Sequence, residues 1–319
     1  MTSTATTSTL GQLLDAELRF SPSIREIYSN HLAMELVALD QLGAAPEVLQ
    51  HVFDVHARGE AEPRRDADAL AALGGEVRRV GIATAVRRLV PPLATGPSTA
   101  LFHPLIRLAY ALDVGDDGQV AAALLDWSTR RHVLVRPEPV PGDRRLPDVA
   151  ADLSARPGPW APTYDLDAIA ARPELQAAVH GLALDDHTLD DVSAFAINAH
   201  ATAEAFVTLH MVTGARAVRA VAGWLDDETA SQLIGWSAHA MVVAYAAAGA
   251  PALLDEAHVD AIRHQPAPSP EAIAAHAIDD LDPHVVKLVN VALVEEARTG
   301  DPLYRYAAAR VTGLVPRVR

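Results

Sequence analysis

The sequence predicts an all-α fold, built as a single multi-helix domain. Half of the 319 residues are hydrophobic, and alanine and leucine, which favour helices, are abundant. Apolar residues recur at helical spacing in one segment after another. No segment shows a sustained alternation of polar and apolar residues with β-branched side chains, which is typical of strands. A chain of this length can bury a sizeable core.

Local signals place the ends of the helices in the first half of the chain. One helix is predicted to begin at Asn30, a good N-cap residue, and to stop at Gly43. Pro91 ends another helix, and a turn at residues 113–118 separates the next two. Together these signals predict helices at residues 10–20, 30–42, 47–58, 67–73, 77–89, 102–112 and 119–131.

The chain changes character in the middle before the helical pattern returns. Residues 133–163 are rich in proline and charge and show little periodicity, so they are predicted to form a surface excursion or lid. Beyond them, a proline-rich joint at residues 265–270 and Gly300 mark helix ends. Helices are predicted at residues 165–180, 189–213, 215–225, 228–248, 253–263, 271–278, 283–298 and 303–311.

The termini and the most apolar stretch bear on domain organisation and localisation. Residues 1–10 are rich in serine and threonine without a basic or an apolar run, which predicts a disordered tail rather than a secretory signal. Residues 11–319 are then predicted to form the one helical domain. The stretch at residues 238–254 is interrupted by Gly249 and Pro251 and is too short to span a bilayer convincingly. We therefore expect a soluble, cytoplasmic protein.

Charge and cysteine content exclude several classes of function. A formal net charge of −15 argues against binding to nucleic acid or to an anionic membrane, because either would repel an acidic surface. The predicted partners are small molecules or other subunits, and the sequence does not indicate an oligomeric state. The chain has no cysteine, which excludes disulfides, thiolate catalysis and cysteine-ligated metal sites.

The chain contains 25 arginines but a single lysine, Lys287. Asp282 is predicted to cap a helix that starts at Pro283, which places His284 and Lys287 three residues apart on one face of its opening turns. The helix dipole and the apolar neighbours both favour a neutral amine there. Unlike a guanidinium, such an amine can take up carbon dioxide as an anionic carbamate that binds metal. The plain alternative is a lysine left by chance in an arginine-rich chain.

Three further histidines lie in apolar segments near predicted helix ends. His103 precedes a proline, His31 lies near a helix start, and His210 is predicted to lie at the end of a helix. Each has an ordinary explanation as a capping residue or a hydrogen-bonded core residue. His200, His239 and His276 are harder to set aside, and any of them could replace one of these candidates. Sequence motifs of flavin, nucleotide, zinc-protease and serine-hydrolase sites are not found.

Five separated strings resemble successive motifs of the questin oxidase-like family. They are SNHLAMELVALDQLGA, LFHPLIRLAYAL, LHMVTGARAV, DPHVVKLVNVAL and DPLYRYAAARV, which occur in the family's order between about residues 28 and 311. The family includes oxygenases that open a ring of anthraquinone-type polyketides. In its iron-dependent members, non-haem iron is held by four histidines and a carboxylated lysine. The present chain is shorter than the fungal members, so its substrate pocket is expected to differ.

Carried over to this sequence, the resemblance implies His31, His103, His210 and His284 as imidazole ligands of Fe(II). It implies Lys287 as the fifth ligand, carboxylated by carbon dioxide. No catalytic residue beyond these ligands is implied. Imidazole suits iron, and a carbamate oxygen supplies the anionic donor that a carboxylate would otherwise give.

The resulting prediction is a non-haem iron oxygenase. It would use O2 to oxidise or ring-cleave a polycyclic aromatic compound, so that its partners are an aromatic small molecule and O2. Two alternatives stay open. One is a metal-dependent hydrolase with a carboxylated lysine, and the other is a non-catalytic helical protein that binds an aromatic ligand.

Overall fold

Helices account for nearly all the regular structure in the parts of the chain that the computed structural model describes, residues 8–25, 28–59, 61–137, 142–155 and 160–316. The all-α prediction is confirmed. In chain order the helices are α1 Thr9–Glu17, α2 Leu32–Gln41, α3 Pro46–Gly59, α4 Ala67–Val80, α5 Ile82–Leu89, α6 His103–Val114, α7 Asp117–Arg130, α8 Leu146–Ala155, α9 Leu166–Ala170, α10 Pro173–Val179, α11 Thr188–Ala203, α12 Phe206–Ala222, α13 Asp227–Ala247, α14 Glu256–Arg263, α15 Pro270–Asp280, α16 Pro283–Thr299 and α17 Pro302–Val311.

Two short strands, β1 Ser23–Ile24 and β2 Tyr28–Ser29, pair antiparallel, with Ser23 opposite Ser29. A 3-10 turn spans Pro91–Leu93. None of the described helices is both long and apolar enough to cross a membrane. Of the predicted tail at residues 1–10, residues 1–7 lie outside the described part, and α1 begins at Thr9.

One hydrophobic cluster joins the helices, and its centre lies along α6, α12, α13 and α16. Helix α12 packs against α6, α11, α13 and α16, while α16 also packs against α2, α15 and α17. These inner helices are apolar on most of their circumference, as expected for helices surrounded by others. The arrangement brings the first turns of α2, α6, α12 and α16 into one region.

The proline-rich segment contains a helix that the sequence reading did not predict. In α8 the buried residues Leu146, Val149, Ala150 and Leu153 recur at helical spacing, and the helix packs against α13. Pro147 lies in the first turn, where no backbone hydrogen bond is lost. The stripe is only two turns long among prolines, which hid its periodicity. Residues 138–141 and 156–159 of the segment lie outside the described part.

The predicted helix at residues 189–213 is wrong at its C-terminal end. The chain breaks after α11 at Glu204, whose φ is 50°, and α12 starts at Phe206. Neither glycine nor proline marks this break. Instead, Arg310 makes a two-pronged ion pair with Glu204, and the Thr208 hydroxyl accepts the Ala205 N–H and caps the new helix. His210 therefore lies in the second turn of α12, not at the end of a helix.

Other helix boundaries that were predicted near glycine or proline also differ from those in the structure. The predicted break at Gly214 is wrong because α12 runs through this residue. A Cβ at position 214 would lie 3.0 Å from the Phe102 ring, so glycine allows the ring to pack closely against the helix. Similarly, α4 continues through Gly74 and Gly75 and ends at Gly81. The predicted helix at residues 165–180 is divided into α9 and α10 before Pro173.

Candidate metal centre

Three histidines from different helices meet at one buried point. The Nε2 atom of His103 lies 2.8 Å from Nε2 of His31 and 3.2 Å from Nε2 of His210. His103 and His210 are buried, and His31 is nearly so. One possible ligand atom from each lies within 4.8 Å of the other two, which is close enough for all three to bind one metal ion.

The ring of His284 packs against this cluster of three histidines. Its ring centroid lies 4.6 Å from that of His31 and 5.5 Å from that of His210. Its Nδ1 atom lies 3.1 Å from a carboxylate oxygen of Asp282, the residue predicted and found to cap α16. Its Nε2 atom is buried and has no hydrogen-bond partner. A buried polar atom without a partner is costly, and a metal ion would satisfy it.

Hydrogen bonds of the Nδ1 atoms of His103 and His210 fix which nitrogen of each ring carries the hydrogen. Nδ1 of His103 lies 2.5 Å from the Ala100 carbonyl, and Nδ1 of His210 lies 2.8 Å from the Phe206 carbonyl. A carbonyl can only accept, so each Nδ1 carries the hydrogen, and in the neutral rings each Nε2 keeps a lone pair. Two lone pairs then face each other across 3.2 Å. This contact is repulsive unless a cation lies between the two nitrogens, so the residues fit a metal ion.

Lys287 is buried beside this cluster, as its position three residues after His284 predicts. Its side chain is only 1 % exposed. No ion pair within 4.0 Å neutralises its amine among the described residues. Burial lowers the pKa of Lys287 from 10.5 to about 7, and the more distant carboxylates of Glu35 and Asp282 oppose part of this shift. A large share of the amine is therefore neutral near pH 7.

The five side chains all lie at helix N-termini. His31 is the N-cap of α2, His103 the first residue of α6 and His284 the second residue of α16, while His210 and Lys287 follow in the second turns of α12 and α16. Helix N-termini carry partial positive charge, which disfavours protonated imidazole and ammonium and favours an anion. Burial is the main cause that holds the pKa of His31, His103 and His210 well below 6.5.

The three competing histidines lie elsewhere. Nδ1 of His200 contacts the Thr208 hydroxyl at 3.1 Å, Nε2 of His239 contacts the Val135 carbonyl at 3.0 Å, and His276 is exposed on α15. None of them is in the cluster of His31, His103 and His210. The structure thus brings together the five residues that the sequence singled out and leaves these three apart.

A cleft of about 1320 Å³ opens onto the cluster. His31, His103 and His284 form part of its wall, and Phe206 packs with its ring centroid 4.5 Å from that of His210 and 5.0 Å from that of His284. Glu35, one turn after His31, also lines the cleft. Sequence reasoning missed both residues. Helical spacing from His31 could have indicated Glu35, whereas Phe206 is placed by the unmarked break before α12.

A comparison with protein families bears on the origin of this site. Residues 186–292 match the family model described as Questin oxidase-like. Over this segment, about a third of the chain, the protein is similar to the questin oxidase-like family. The match includes His210, His284 and Lys287, whereas His31 and His103 precede it. No curated protein matches the chain.

The match to the questin oxidase-like family model favours an oxidoreductase of the oxygenase kind. The matched residues include α12 and the first part of α16, which supply three of the five clustered side chains. Helices α2 and α6 supply the other two from the N-terminal part of the chain, and both pack against this segment, α2 on α16 and α6 on α12.

Proposed function

We propose that this protein is a non-haem iron-dependent oxygenase that oxidises or ring-cleaves a polycyclic aromatic compound of the anthraquinone type with O2. The observation that carries the proposal is the convergence of four imidazoles and a buried lysine beside a large cleft, three of the imidazoles forming part of its wall. Similarity to the questin oxidase-like family supports the reaction class. The fit of the donor set to a cation supports the metal.

The proposed ligands are His31, His103, His210, His284 and the carboxylated side chain of Lys287. When bound, ferrous iron supplies the one-electron chemistry that lets O2 react with a closed-shell organic molecule. The chain itself orients the ligands through the Nδ1 contacts of His103 with Ala100 and of His210 with Phe206. Such outer contacts hold the ring plane and keep Nε2 available.

The state of the Lys287 amine supports its proposed carboxylation. The neutral amine nitrogen would form a bond to the carbon of CO2, one C–O double bond would open to give the carboxylate, and the nitrogen would release one proton. Burial makes the neutral amine accessible near pH 7, and the helix N-terminus favours the resulting negative charge. The product would place an anionic oxygen donor beside the four imidazoles.

The cleft has the dimensions and lining that a flat aromatic substrate needs. Its volume of about 1320 Å³ exceeds the range of roughly 300–1,000 Å³ common for small-molecule pockets. Leu32, Val52, Leu101 and Phe206 supply apolar wall near the histidines. Contact between these side chains and the ring system would exclude water from the reacting carbon and hold it beside the metal.

Metal analysis tests the proposal directly. We expect anaerobically purified protein to contain iron in stoichiometric amount, and His284→Ala and Lys287→Arg to lose it, because a guanidinium cannot form the carbamate. His276→Ala, which removes an exposed histidine outside the cluster, is the matched control and should keep its iron. Stoichiometric zinc without oxygen consumption would favour the hydrolase instead. Retention of an aromatic ligand by Lys287→Arg, with no metal in either protein, would favour the binding protein.

The carbamate has a separate spectroscopic test. Because Lys287 is the only lysine, labelling with 13C-bicarbonate should produce a single side-chain carbamate signal in the 13C spectrum, apart from any signal of the N-terminal amine. The spectrum is recorded with diamagnetic Zn2+ in place of iron, because paramagnetic Fe(II) would broaden the signal. The signal should be missing in Lys287→Met. Addition of a small carboxylate should restore iron binding to Lys287→Ala. A wild-type spectrum without the signal, together with failed rescue, would remove the carbamate from the proposal and leave the histidines.

A further inference from the structure

A second cavity lies next to Phe206. Its volume is about 350 Å³, and α11, α12 and α17 surround it. His200, Leu209 and Ala307 are buried and form its inner wall, whereas Glu204 and Phe206 are exposed at its edge. Phe206 borders both this cavity and the cleft. None of the five proposed metal ligands lines it.

The inner wall offers Nε2 of His200 as a hydrogen-bond acceptor. The Thr208 hydroxyl lies closer to the Ala205 carbonyl, at 2.8 Å, than to Nδ1 of His200, at 3.1 Å. We therefore assign its hydrogen to the carbonyl contact, and its oxygen accepts from Nδ1 of His200. The hydrogen of the neutral ring is therefore on Nδ1, and Nε2 keeps a lone pair. No described residue hydrogen-bonds to this Nε2, although the side chain is only 5 % exposed.

The remaining lining is neutral overall and largely apolar. Arg310 pairs with both carboxylate oxygens of Glu204 at 2.7 and 2.8 Å, so the two charges at the edge offset each other. Burial lowers the pKa of His200 to about 4, and its imidazole is neutral at physiological pH. Alanine, leucine and aromatic side chains make up most of the rest. Such a lining does not attract anions, but it suits an uncharged apolar molecule that carries one hydrogen-bond donor.

We propose that this cavity is a second small-molecule pocket, which binds a hydroxylated aromatic compound of about two rings whose O–H donates to Nε2 of His200. The volume of 350 Å³ is near the lower end of ligand pockets and sets the size of the compound. The rings would pack against Phe206 and Leu209. Because none of the proposed ligands lines the pocket, its occupancy does not depend on iron.

The probe is 2-naphthol, and 2-methoxynaphthalene is the matched compound that lacks the hydroxyl hydrogen. Calorimetric titration of the full chain should show tighter binding of 2-naphthol, and His200→Leu should weaken it about fivefold to tenfold, as expected for one lost hydrogen bond. His276→Leu should bind like the wild type. Prior treatment with a chelator should leave the binding unchanged.

The position of the probe decides between the two cavities. In crystals with 6-bromo-2-naphthol, the anomalous signal of bromine should lie in the pocket beside His200. Equal binding of the two naphthalenes, loss of binding on chelation, bromine only in the cleft, or no binding at all would each overturn the proposal. The comparison of the two compounds uses wild-type protein, so it remains decisive even if His200→Leu does not fold. None of these results depends on whether the protein oxidises a substrate.

Discussion

Three consecutive residues just before α6 hold the left-handed backbone conformation although none is glycine. Ala100, Leu101 and Phe102 have φ angles of 46°, 55° and 68°. For residues with a Cβ this conformation costs roughly 1–2 kcal/mol each. It carries the Ala100 carbonyl to within hydrogen-bonding distance of His103 Nδ1. Backbone strain of this kind persists where the surrounding structure enforces it, often at functional sites.

We therefore expect Ala100→Gly to stabilise the protein. The Ala100 side chain is exposed, so glycine removes the strain without opening a cavity, and the free energy of unfolding should rise by about 0.5 kcal/mol. Ala71, exposed in the middle of α4, is the matched control, and Ala71→Gly should lower this free energy by about 1 kcal/mol. Urea titrations measure both values. Equal losses in the two variants would show that the backbone at Ala100 is not strained.

Because two histidines outside the metal centre are buried, we expect the free energy of unfolding to fall in acid. Burial lowers the pKa of His200 and of His239 to about 4, against 6.5 in an unfolded chain. Between these values the unfolded chain binds more protons than the folded one, so stability falls as the pH drops from 6.5 to 4 and is fully present above 6.5. Each histidine should contribute on the order of 2–3 kcal/mol to this fall.

The measurement is the free energy of unfolding in urea at several pH values between 4 and 7.5. His239→Leu should show a shallower dependence on pH than the wild type, whatever its absolute stability. His276→Leu removes an exposed histidine and should keep the wild-type slope. A slope that His239→Leu leaves unchanged would mean that this side chain is protonated in the folded protein.

At the scale of the helices, a buried polar network ties together the elements that supply His31 and His103. Arg107, one turn after His103 on α6, donates to Glu17 of α1 at 2.6 Å and to Gln119 of α7 at 2.8 Å. The amide of Asn30, next to His31, contacts the other Glu17 oxygen at 3.4 Å. The network therefore fixes the start of α2 relative to α6, and with it the spacing of two proposed ligands.

Removing one partner of the buried Glu17–Arg107 ion pair should destabilise the protein. Glu17→Leu and Arg107→Leu each leave a buried charge without its partner and should lower the free energy of unfolding by about 3–5 kcal/mol. The double variant should lose clearly less than the sum. The matched control is Glu76→Leu, which breaks an exposed ion pair with Arg79 and should cost under about 1 kcal/mol. Additive losses in the double-mutant cycle would argue against a coupled pair.

At the scale of the whole molecule, the sequence predicted what local signals determine. Helix class follows from spacing, and the start of α16 follows from Asp282 and Pro283, which the structure confirms as cap and first residue. The buried helix α8 escaped prediction because its apolar stripe is short and stands among prolines. The break before α12 escaped it because Arg310, more than a hundred residues away in sequence, holds Glu204.

The candidate site was also only partly predictable from local signals. His284 and Lys287 could be paired from helical spacing alone, whereas grouping them with His31, His103 and His210 required the family resemblance. Spacing along the chain contains no information on how α2, α6, α12 and α16 approach one another. The structure brings these five side chains together, and their role as iron ligands stays a prediction. Phe206 and the pocket next to it depend on tertiary packing and had no signal in the sequence.

Burial of the only lysine also limits cleavage of the folded chain by a protease that cuts after lysine. The bond from Lys287 to Leu288 lies within α16, and both side chains are buried, so cleavage requires this helix to open. Unfolded protein should yield two fragments, residues 1–287 and 288–319, while native protein stays whole. The rate at which the fragments appear in gels therefore reports how often α16 opens. Fast cutting under native conditions would contradict a tightly closed centre.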